Sequence, residues 1–180
     1  FKVFSFNDKQ ITLEHSEIIG SQDNAMYLYT IDNSSVNIID SDILDGGNYG
    51  IYIGNSEHVT TTIHGSISSG HNAHGYLSDV NYNDLTVYNS EFNNNGNDGI
   101  YLGDANSPVV IHNSSINNNG NQGISTNTGN SPISIYDSEL KHNYRGVYTS
   151  STYSPITVKN SIISDNSYHG VNSETDNSGI

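Results

Sequence analysis

The segment KHNYRG, residues 141–146, gathers the most reactive set of side chains in this sequence. Lys141 or Arg145 could neutralise the carboxylate of a uronate sugar, while His142 or Tyr144 could remove the neighbouring C5 proton. Those are the roles that a polysaccharide lyase or a uronate epimerase needs. The chain has only five Lys and Arg residues, however, whereas such enzymes usually line a groove with several cations. An ordinary turn is therefore the competing interpretation of this segment.

Aromatic side chains recur at two positions that strand alternation places on the outside of the molecule. The first set consists of Tyr27, Tyr52, Tyr101 and Tyr148, and the second consists of Tyr88, His112 and Tyr136. Exposed aromatic rings can stack on sugar rings or pack against a partner, which predicts a glycan-binding surface. Because Tyr also favours strand surfaces and pairs with its neighbours there, a purely structural role stays open.

An acidic set recurs at a third position, where it consists of Glu17, Asp42, Glu91, Ser115 and Glu139. Carboxylates one strand apart repel each other, and a calcium ion between them would relieve the repulsion, whereas a solvated face needs no ion. The segment DSDILDGG, residues 40–47, matches neither an EF-hand loop nor the calcium-binding nonapeptide. We therefore predict no metal site and no cofactor, with calcium as the one cation that the pattern allows.

Histidines crowd into one short stretch that is also less regular than its surroundings. His58, His64, His71 and His74 fall within TTIHGSISSGHNAHGY or just before it. Irregular segments often carry functional loops. The spacing of these residues does not follow the usual logic of zinc ligands, so an accidental cluster is the simpler interpretation.

Composition excludes several classes of protein. The net charge is −14, which disfavours a nucleic-acid partner because phosphate binding needs clustered cations. There is no cysteine, so disulfides and thiolate metal sites are impossible. No apolar run approaches the length of a membrane span, and we expect no membrane insertion.

A repeat of 23–25 residues organises the whole chain. Its apolar anchors are Ile18, Ile43, Ile67, Phe92, Ile116, Leu140 and Ile163. Apolar residues alternate before each anchor, as in Leu85 and Val87, which is the period of a strand. One such unit cannot bury its own apolar face, but stacked units can, because each strand pairs with its equivalent in the next unit.

Stacking explains why almost the same polar segment occurs as FNNNGNDGI and as INNNGNQGI. Equivalent residues of stacked coils lie about 4.8 Å apart. The ladder that this predicts consists of Asn95, Asn119, Asn143 and Asn166, whose side-chain amides can hydrogen-bond from coil to coil. A second predicted column consists of Gly50, Gly99, Gly123, Gly146 and Gly170, where glycine indicates a tight turn or a positive φ.

The successive units LTVYNSEF, VVIHNSSI, ISIYDSEL and ITVKNSII resemble coils of the right-handed parallel β-helix superfamily, of the pectate-lyase-like type. The resemblance implies an all-β fold, a single-stranded right-handed parallel β-helix (β-solenoid) of about seven coils of 23–25 residues. It does not by itself imply an activity, because the superfamily includes lyases, epimerases, glycosidases, phage tailspikes and non-catalytic adhesins.

The regular repeat, the scarce cations and the missing catalytic motifs favour a non-enzymatic role. We expect residues 1–180 to be one domain, and a fragment of a longer solenoid, because both ends look like interrupted coils. Expected partners are the continuation of the solenoid or another copy at the coil ends, and a glycan. The predicted function is an extracellular or cell-surface stalk, filament or adhesin. The alternative is a carbohydrate-active enzyme: a polysaccharide lyase, a uronate epimerase or a tailspike-type glycosidase.

Overall fold

The structure, a computed structural model, describes residues 1–150 and 152–174, and these residues form strands and turns without a helix. None of this described part could therefore cross a bilayer as a helix. The strands in chain order are β1 (Lys2–Phe4), β2 (Gln10–Glu14), β3 (Glu17–Ile19), β4 (Met26–Tyr29), β5 (Ser35–Ile39), β6 (Asp42–Leu44), β7 (Ile51–His64), β8 (Ile67–Ser69), β9 (Tyr76–Tyr88), β10 (Ile100–Leu102), β11 (Val109–His112), β12 (Gln122–Thr126), β13 (Ile133–Tyr136), β14 (Glu139–Lys141), β15 (Arg145–Thr149), β16 (Ile156–Lys159), β17 (Ile162–Ser164) and β18 (His169–Ser173).

The strands form a parallel β-solenoid of about seven coils with three faces. Face A contains β1, β4, the first part of β7, the first part of β9, β10, β12, β15 and β18. Face B contains β2, β5, the second parts of β7 and β9, β11, β13 and β16, and face C contains β3, β6, β8, β14 and β17. The long strands β7 and β9 run through the corner between faces A and B. The predicted fold class is confirmed.

Each strand pairs in register with the strand one coil away. Lys2 pairs with Tyr27, 25 residues later, whereas Ile133 pairs with Ile156, 23 residues later. Alternate side chains point inward, and on face B the inward column includes Ile38, Ile63, Val87, Ile111 and Ile135, each at most 1% exposed. Burial of one such side chain contributes about 1.5–3 kcal/mol, so the stacked column is the main source of stability.

One predicted anchor is wrong. Ile43 pairs with Ser68, not with Ile67, so Ser68 takes the inward position in the third coil and Ile67 turns outward between Asp42 and Glu91. The reason is His71, whose buried ring needs the space that a larger anchor would fill. Its Nδ1 accepts a hydrogen bond from the Gly46 amide at 2.9 Å, and its Nε2 lies 3.1 Å from the Ser68 hydroxyl.

The asparagine residues of the predicted ladder lie in one buried column. Asn95 Nδ2 donates to Asn119 Oδ1 at 3.0 Å, and Asn119 Nδ2 donates to Asn143 Oδ1 at 3.1 Å. The Asn143 main-chain amide donates to Asn166 Oδ1 at 3.0 Å. His71 occupies the same column one coil before, since its main-chain amide donates to Asn95 Oδ1. The column therefore satisfies buried polar groups that no strand could satisfy at this turn.

A serine ladder joins all seven coils between faces B and C. Its members are Ser16, Ser41, Ser66, Ser90, Ser114, Ser138 and Ser161. In each pair, the main-chain amide of one serine donates to the hydroxyl of the next coil, as Ser90 does to Ser114 at 3.1 Å. That hydroxyl in turn donates to the carbonyl two residues earlier, as Ser114 does to His112. The recurring NS and DS pairs of the sequence thus encode a hydrogen-bonded corner.

Of the two reasons predicted for the glycine column, a tight turn or a positive φ, the structure does not show the positive φ. The left-handed conformation belongs instead to the residue before each ladder serine, for example Asn89 (φ 48) and Asn113 (φ 44). Glycine is needed in its own column because the next coil approaches closely. A Cβ on Gly99 would lie 2.8 Å from the Gly123 carbonyl oxygen, which is closer than a side-chain carbon packs against an oxygen atom. Gly75 belongs to this column as well.

Candidate functional site

The structure brings Tyr144 and Arg145 of KHNYRG into contact, but it places Lys141 on a different face. Lys141 lies on face C, where its Nζ forms an ion pair with Glu139 Oε2 at 2.7 Å. His142 adopts a turn conformation with φ 55. Arg145 begins β15 on face A, at the other end of the segment. Lys141 and Arg145, the two cations of the predicted site, therefore have different partners on different faces.

Arg145 lies in an aromatic cluster instead. Its guanidinium carbon is 4.9 Å from the ring centre of Tyr144, 4.8 Å from that of Tyr148 and 5.1 Å from that of Tyr168. Cation–π attraction of this kind contributes about 0.5–1 kcal/mol per contact at exposed sites. The Tyr148 hydroxyl donates to Glu174 Oε2 at 2.9 Å. The cluster is a self-contained packing arrangement at one end of face A.

The second aromatic set forms a stack along face B. The ring centres of Tyr88 and His112 are 5.1 Å apart, those of His112 and Tyr136 are 4.7 Å apart, and the interplanar angles are 11° and 16°. Lys159 Nζ lies 5.9 Å from the Tyr136 ring on the next coil. These rings therefore cover each other's faces, and face-on stacking with a sugar is not available at His112.

The first aromatic set is part of a larger aromatic array on face A. Tyr27 stacks on Tyr52 at 5.1 Å and on Tyr29 at 5.7 Å, and Tyr49 stacks on Tyr52 at 5.6 Å. His74 continues the array, since its ring lies 5.6 Å from Tyr49. Its other neighbour is Tyr101 of the fourth coil, at 5.1 Å. Tyr148 belongs to the separate Arg145 cluster. The array holds its tyrosine side chains in fixed positions, because each ring is held by its neighbours.

An open cleft of about 570 Å³ adjoins this array at the corner between faces A and B. It is lined by two tyrosines and four carboxylates, which are Tyr29, Tyr52, Asp32, Glu57, Asp79 and Asp104. Among the described residues, no Lys or Arg lines the cleft. We call this site the acidic cleft. It combines fixed aromatic side chains with groups that accept hydrogen bonds.

A β-bulge in β7 and two glycines open the acidic cleft. The register between β7 and β9 shifts between Gly54 and Ser56, where Asn55 adopts a φ of 49°. Gly54 pairs directly with Asp79, and the Tyr52 hydroxyl occupies the space that a Cβ on Gly54 would need. On the far side of Asp79, a Cβ on Gly103 would lie 2.5 Å from Asp79 Oδ1. Bulges are common beside functional sites because they redirect side chains.

The charges of the acidic cleft are coupled. Surrounding protein displaces part of the water around Asp79, and this desolvation, with Asp104 as the second cause, raises the pKa of Asp79 above its usual value. Desolvation, followed by the Asp79 charge, raises the pKa of Tyr52 to about 12. The Tyr52 hydroxyl therefore keeps its proton and remains a hydrogen-bond donor that faces a set of acceptors.

A buried carboxylate supports the far end of the array. Asp98 is 2% exposed, its Oδ2 accepts a hydrogen bond from the Ser125 hydroxyl at 2.6 Å, and its Oδ1 accepts one from the Gln122 amide at 2.9 Å. Desolvation raises its pKa. His74 Nδ1 lies 3.7 Å from Asp98 Oδ2, and desolvation lowers the pKa of His74 to about 4. Both groups already have partners within the protein, which indicates a structural role.

The third coil also contains a buried polar group in its core. The hydroxyl of Tyr76, which is 0% exposed, accepts a hydrogen bond from Asn83 Nδ2 at 2.6 Å and lies 3.2 Å from the Thr61 hydroxyl. Desolvation raises the pKa of Tyr76 to about 12. Because the hydroxyl has partners and no access to solvent, Tyr76 has no direct contact with a ligand of the acidic cleft.

The recurrent acidic set lies on face C as a column. It runs through Glu17, Asp42, Ile67, Glu91, Ser115, Glu139 and Ile162. Ile67 and Ser115 separate the carboxylates, so stacked repulsion is limited to a few neighbours. Within residues 1–150 and 152–174, no three His, Asp or Glu side chains gather closely enough to hold a metal ion.

Sequence reasoning missed most of the acidic cleft. It included Tyr52, but Asp79 and Asp104 belong to no recurrent set, and Gly54 was not distinguished from other strand residues. The irregular stretch between Gly54 and Ser56 was the available signal, because one extra polar residue, Asn55, interrupts an alternating strand there. The irregular segment that the sequence suggested for a functional loop was the histidine-rich one. Its residues His71 and His74 are buried and hydrogen-bonded within the protein.

The parallel coils, the ladders and the outward array define a β-solenoid with a surface cleft. The family model for the right-handed β-helix region matches residues 27–180. The chain therefore belongs to the right-handed β-helix family, and the predicted superfamily and handedness are confirmed. A comparison with curated protein sequences found no match.

Two solved structures show a distant likeness. One is HetL, a pentapeptide repeat protein involved in heterocyst differentiation regulation from Nostoc sp. strain PCC 7120, with 11% identity, a TM-score of 0.24 and coverage of 90% of this chain and 86% of that chain. The other is a trypsin-treated form of QnrB1, a plasmid-mediated fluoroquinolone resistance protein, with 13% identity, a TM-score of 0.26 and coverage of 91% of this chain and 83% of that chain. Likenesses at these scores carry no argument about function.

Proposed function

We propose that this β-helix is an extracellular or cell-surface segment that binds glycans in the acidic cleft. The observation that carries the proposal is the combination found there: a polar cleft of about 570 Å³ beside an aromatic array, lined by carboxylates and a protonated tyrosine hydroxyl. Sugar hydroxyl groups donate and accept hydrogen bonds, so a polyhydroxylated chain matches such a lining. An adhesive or stalk-like role agrees with the rigid stacking of the coils.

The position of the rings distinguishes this site from the other aromatic surfaces. Tyr52 presents its hydroxyl to the cleft, whereas Tyr136 lies in the stacked column of face B, between His112 and Lys159. Loss of Tyr52 removes a cleft wall and a donor. Loss of Tyr136 removes only a ring that its neighbours already cover.

The test is a glycan array followed by titration of the best ligand in a calorimeter. We expect Tyr52→Ala to weaken binding by about 1 kcal/mol or more, roughly fivefold, and Tyr136→Ala to leave it unchanged. Equal losses in both variants would place binding elsewhere, and the absence of any bound glycan would reject the proposal. Circular dichroism of both variants should match that of the unmodified protein, since the coils should remain folded.

A second candidate is a glycoside hydrolase, and one observation favours it. Glycoside hydrolysis needs one protonated and one ionised carboxyl group, and Asp79, whose pKa is raised by desolvation and by the Asp104 charge, lines the cleft together with Asp104. Incubation with the glycans that bind, followed by analysis of reducing ends, tests this activity. Turnover that Asp79→Asn abolishes while glycan binding persists would establish the hydrolase. Glycan that stays intact after long incubation would reject the hydrolase and favour a binding role.

The lyase and epimerase alternatives have no comparable support. A site for uronates needs cations, and Lys141, the cation nearest to His142 in the sequence, already pairs with Glu139. Arg145 lies between tyrosine rings.

A further inference from the structure

The charge of the acidic cleft specifies the chemical class of its glycan. We propose that the cleft selects an amine-bearing, positively charged polysaccharide, such as a chain of deacetylated amino sugars, over neutral and acidic ones. The proposal rests on the function proposed above, and it adds a preference that glycan binding alone does not require.

The lining of the acidic cleft contains more hydrogen-bond acceptors than donors. Ionised carboxylates only accept hydrogen bonds, and the cleft holds four of them in Asp32, Glu57, Asp79 and Asp104. Asp32 Oδ1 already accepts the Glu57 main-chain amide at 2.9 Å. Asp79 receives no hydrogen bond from any described residue. Acceptors therefore outnumber donors in the cleft, and a ligand that supplies donors satisfies more of its groups than one that supplies acceptors.

Few hydrogen-bond donors of the protein remain for a ligand of the acidic cleft. The Asn55 side-chain amide donates to the Thr30 hydroxyl at 3.0 Å and so is already occupied. The Tyr52 hydroxyl, which is held beside Gly54, and the amide of Asn81 remain for the ligand. Protonated amines donate up to three hydrogen bonds and accept none, which complements this lining.

The positively charged residues lie near the two ends of the sequence, away from the acidic cleft. The five cationic residues are Lys2, Lys9, Lys141, Arg145 and Lys159, so residues 10–140 contain none. The coils that build the cleft belong to this stretch. A polyuronate or a sulfated glycan would meet repulsion without a neutralising cation, whereas a cationic chain would be attracted over several coils.

The aromatic array strengthens the same preference. The hydroxyl oxygens of tyrosine can accept hydrogen bonds from ammonium groups, and Tyr29 and Tyr52 adjoin the carboxylates. An ammonium group between a tyrosine and Asp79 would also lower the repulsion between Asp79 and Asp104. Tyrosine rings and carboxylates together are a recurrent means of binding amines.

The test compares three hexamers by calorimetry: glucosamine, N-acetylglucosamine and galacturonate, each with the unmodified chain. At about pH 6 most carboxylates are ionised. Exposed charge pairs contribute only about 0–1 kcal/mol each, so we expect the four carboxylates together to favour the glucosamine hexamer about tenfold over its acetylated counterpart. The galacturonate hexamer should bind more weakly than both. The preference should shrink as salt is added, because exposed charges are screened.

Two matched variants assign the preference to the cleft. Asp79→Asn should reduce the preference for the amine roughly threefold, because it weakens binding of the glucosamine hexamer more than binding of the acetylated hexamer. Asp137→Asn removes the same charge at an exposed turn, at the position where two preceding coils carry Asn89 and Asn113, and it should change nothing. Both variants should melt at the temperature of the unmodified protein.

The outcomes separate the two proposals. Equal affinity for the glucosamine and acetylated hexamers, or an equal effect of Asp79→Asn and Asp137→Asn, would overturn the inference and leave glycan binding in place. No binding of any hexamer, together with an empty glycan array, would overturn both.

Discussion

Replacement of Asn119 by alanine tests whether the amide ladder stabilises the coils. Asn119 is 3% exposed. Its Oδ1 accepts the main-chain amide of Asn95 at 3.1 Å and the side-chain amide of the same residue at 3.0 Å. Its Nδ2 donates to the Phe92 carbonyl at 3.0 Å and to Asn143 Oδ1 at 3.1 Å. Alanine removes all four contacts without offering a substitute.

The magnitude follows from the groups that remain. The Asn95 amide and the Phe92 carbonyl each lose a partner in a buried turn, and an unsatisfied buried group costs about 1–3 kcal/mol. The two side-chain groups lose one of their contacts but keep another, because Asn95 Nδ2 still reaches the Ser68 carbonyl and Asn143 Oδ1 still accepts the amide of residue 119. We therefore expect a loss of about 4 kcal/mol in the free energy of unfolding.

Urea unfolding, followed by circular dichroism and by tyrosine fluorescence, measures this loss. The control is Asn118→Gly, since residue 118 is exposed and has a φ of 57°, a conformation that glycine adopts readily. The control should change the free energy of unfolding by less than about 0.5 kcal/mol. A loss below about 1 kcal/mol for Asn119→Ala, or an equal loss in the control, would refute the ladder as a source of stability.

Three further predictions concern the same stacked columns. Desolvation lowers the pKa of His71 to about 4 from the 6.5 that the unfolded chain retains, so its contribution is complete above pH 6.5 and is lost as the pH falls to about 4. We expect the free energy of unfolding in urea to fall over that pH interval by up to about 3 kcal/mol. The free energy of unfolding of His71→Asn should fall less, and an equal dependence on pH in the two proteins would contradict this. Gly99→Ala should cost about 1–3 kcal/mol in thermal unfolding, because a Cβ there meets the next coil. Gly129→Ala, with its nearest neighbour at 3.3 Å, should have a smaller effect, and a reversed order would exclude close approach as the cause. The Asn95 side chain, which precedes Gly96, should deamidate more slowly in the folded chain than in urea, because the Gly96 amide is hydrogen-bonded to the preceding coil at 2.8 Å. Mass spectrometry measures both rates, and equal rates would contradict protection by the ladder.

The local signals of the sequence were strongest where coils repeat. Alternating apolar residues occur in nearly every unit, and an NS or DS pair occurs at the serine ladder in five of the seven coils. Each coil adds the same pairing, so repetition averages out local exceptions. The exception was the third coil. His71 stands where later coils have an asparagine, and the small Ser68 stands beside it where other coils have a larger apolar anchor. Only the packed interior shows that the two changes in side-chain volume compensate each other.

The acidic cleft was beyond prediction for a related reason. Its residues come from four coils, and no periodic pattern marks Asp79 or Asp104, because a binding site departs from the repeat that supports it. Likewise, alternation showed that Tyr88 and Tyr136 face outward, but it could not show that His112 between them covers their faces.

The sequence by itself determined the class of fold, the length of the coil and the composition of the asparagine ladder, because each is a local pattern repeated about seven times. Tertiary structure alone decided which outward rings cover one another, where a bulge opens the corner between two faces, and which carboxylates meet there. Those features depend on distances between side chains of different coils, and such distances are set by packing volume and strand register together.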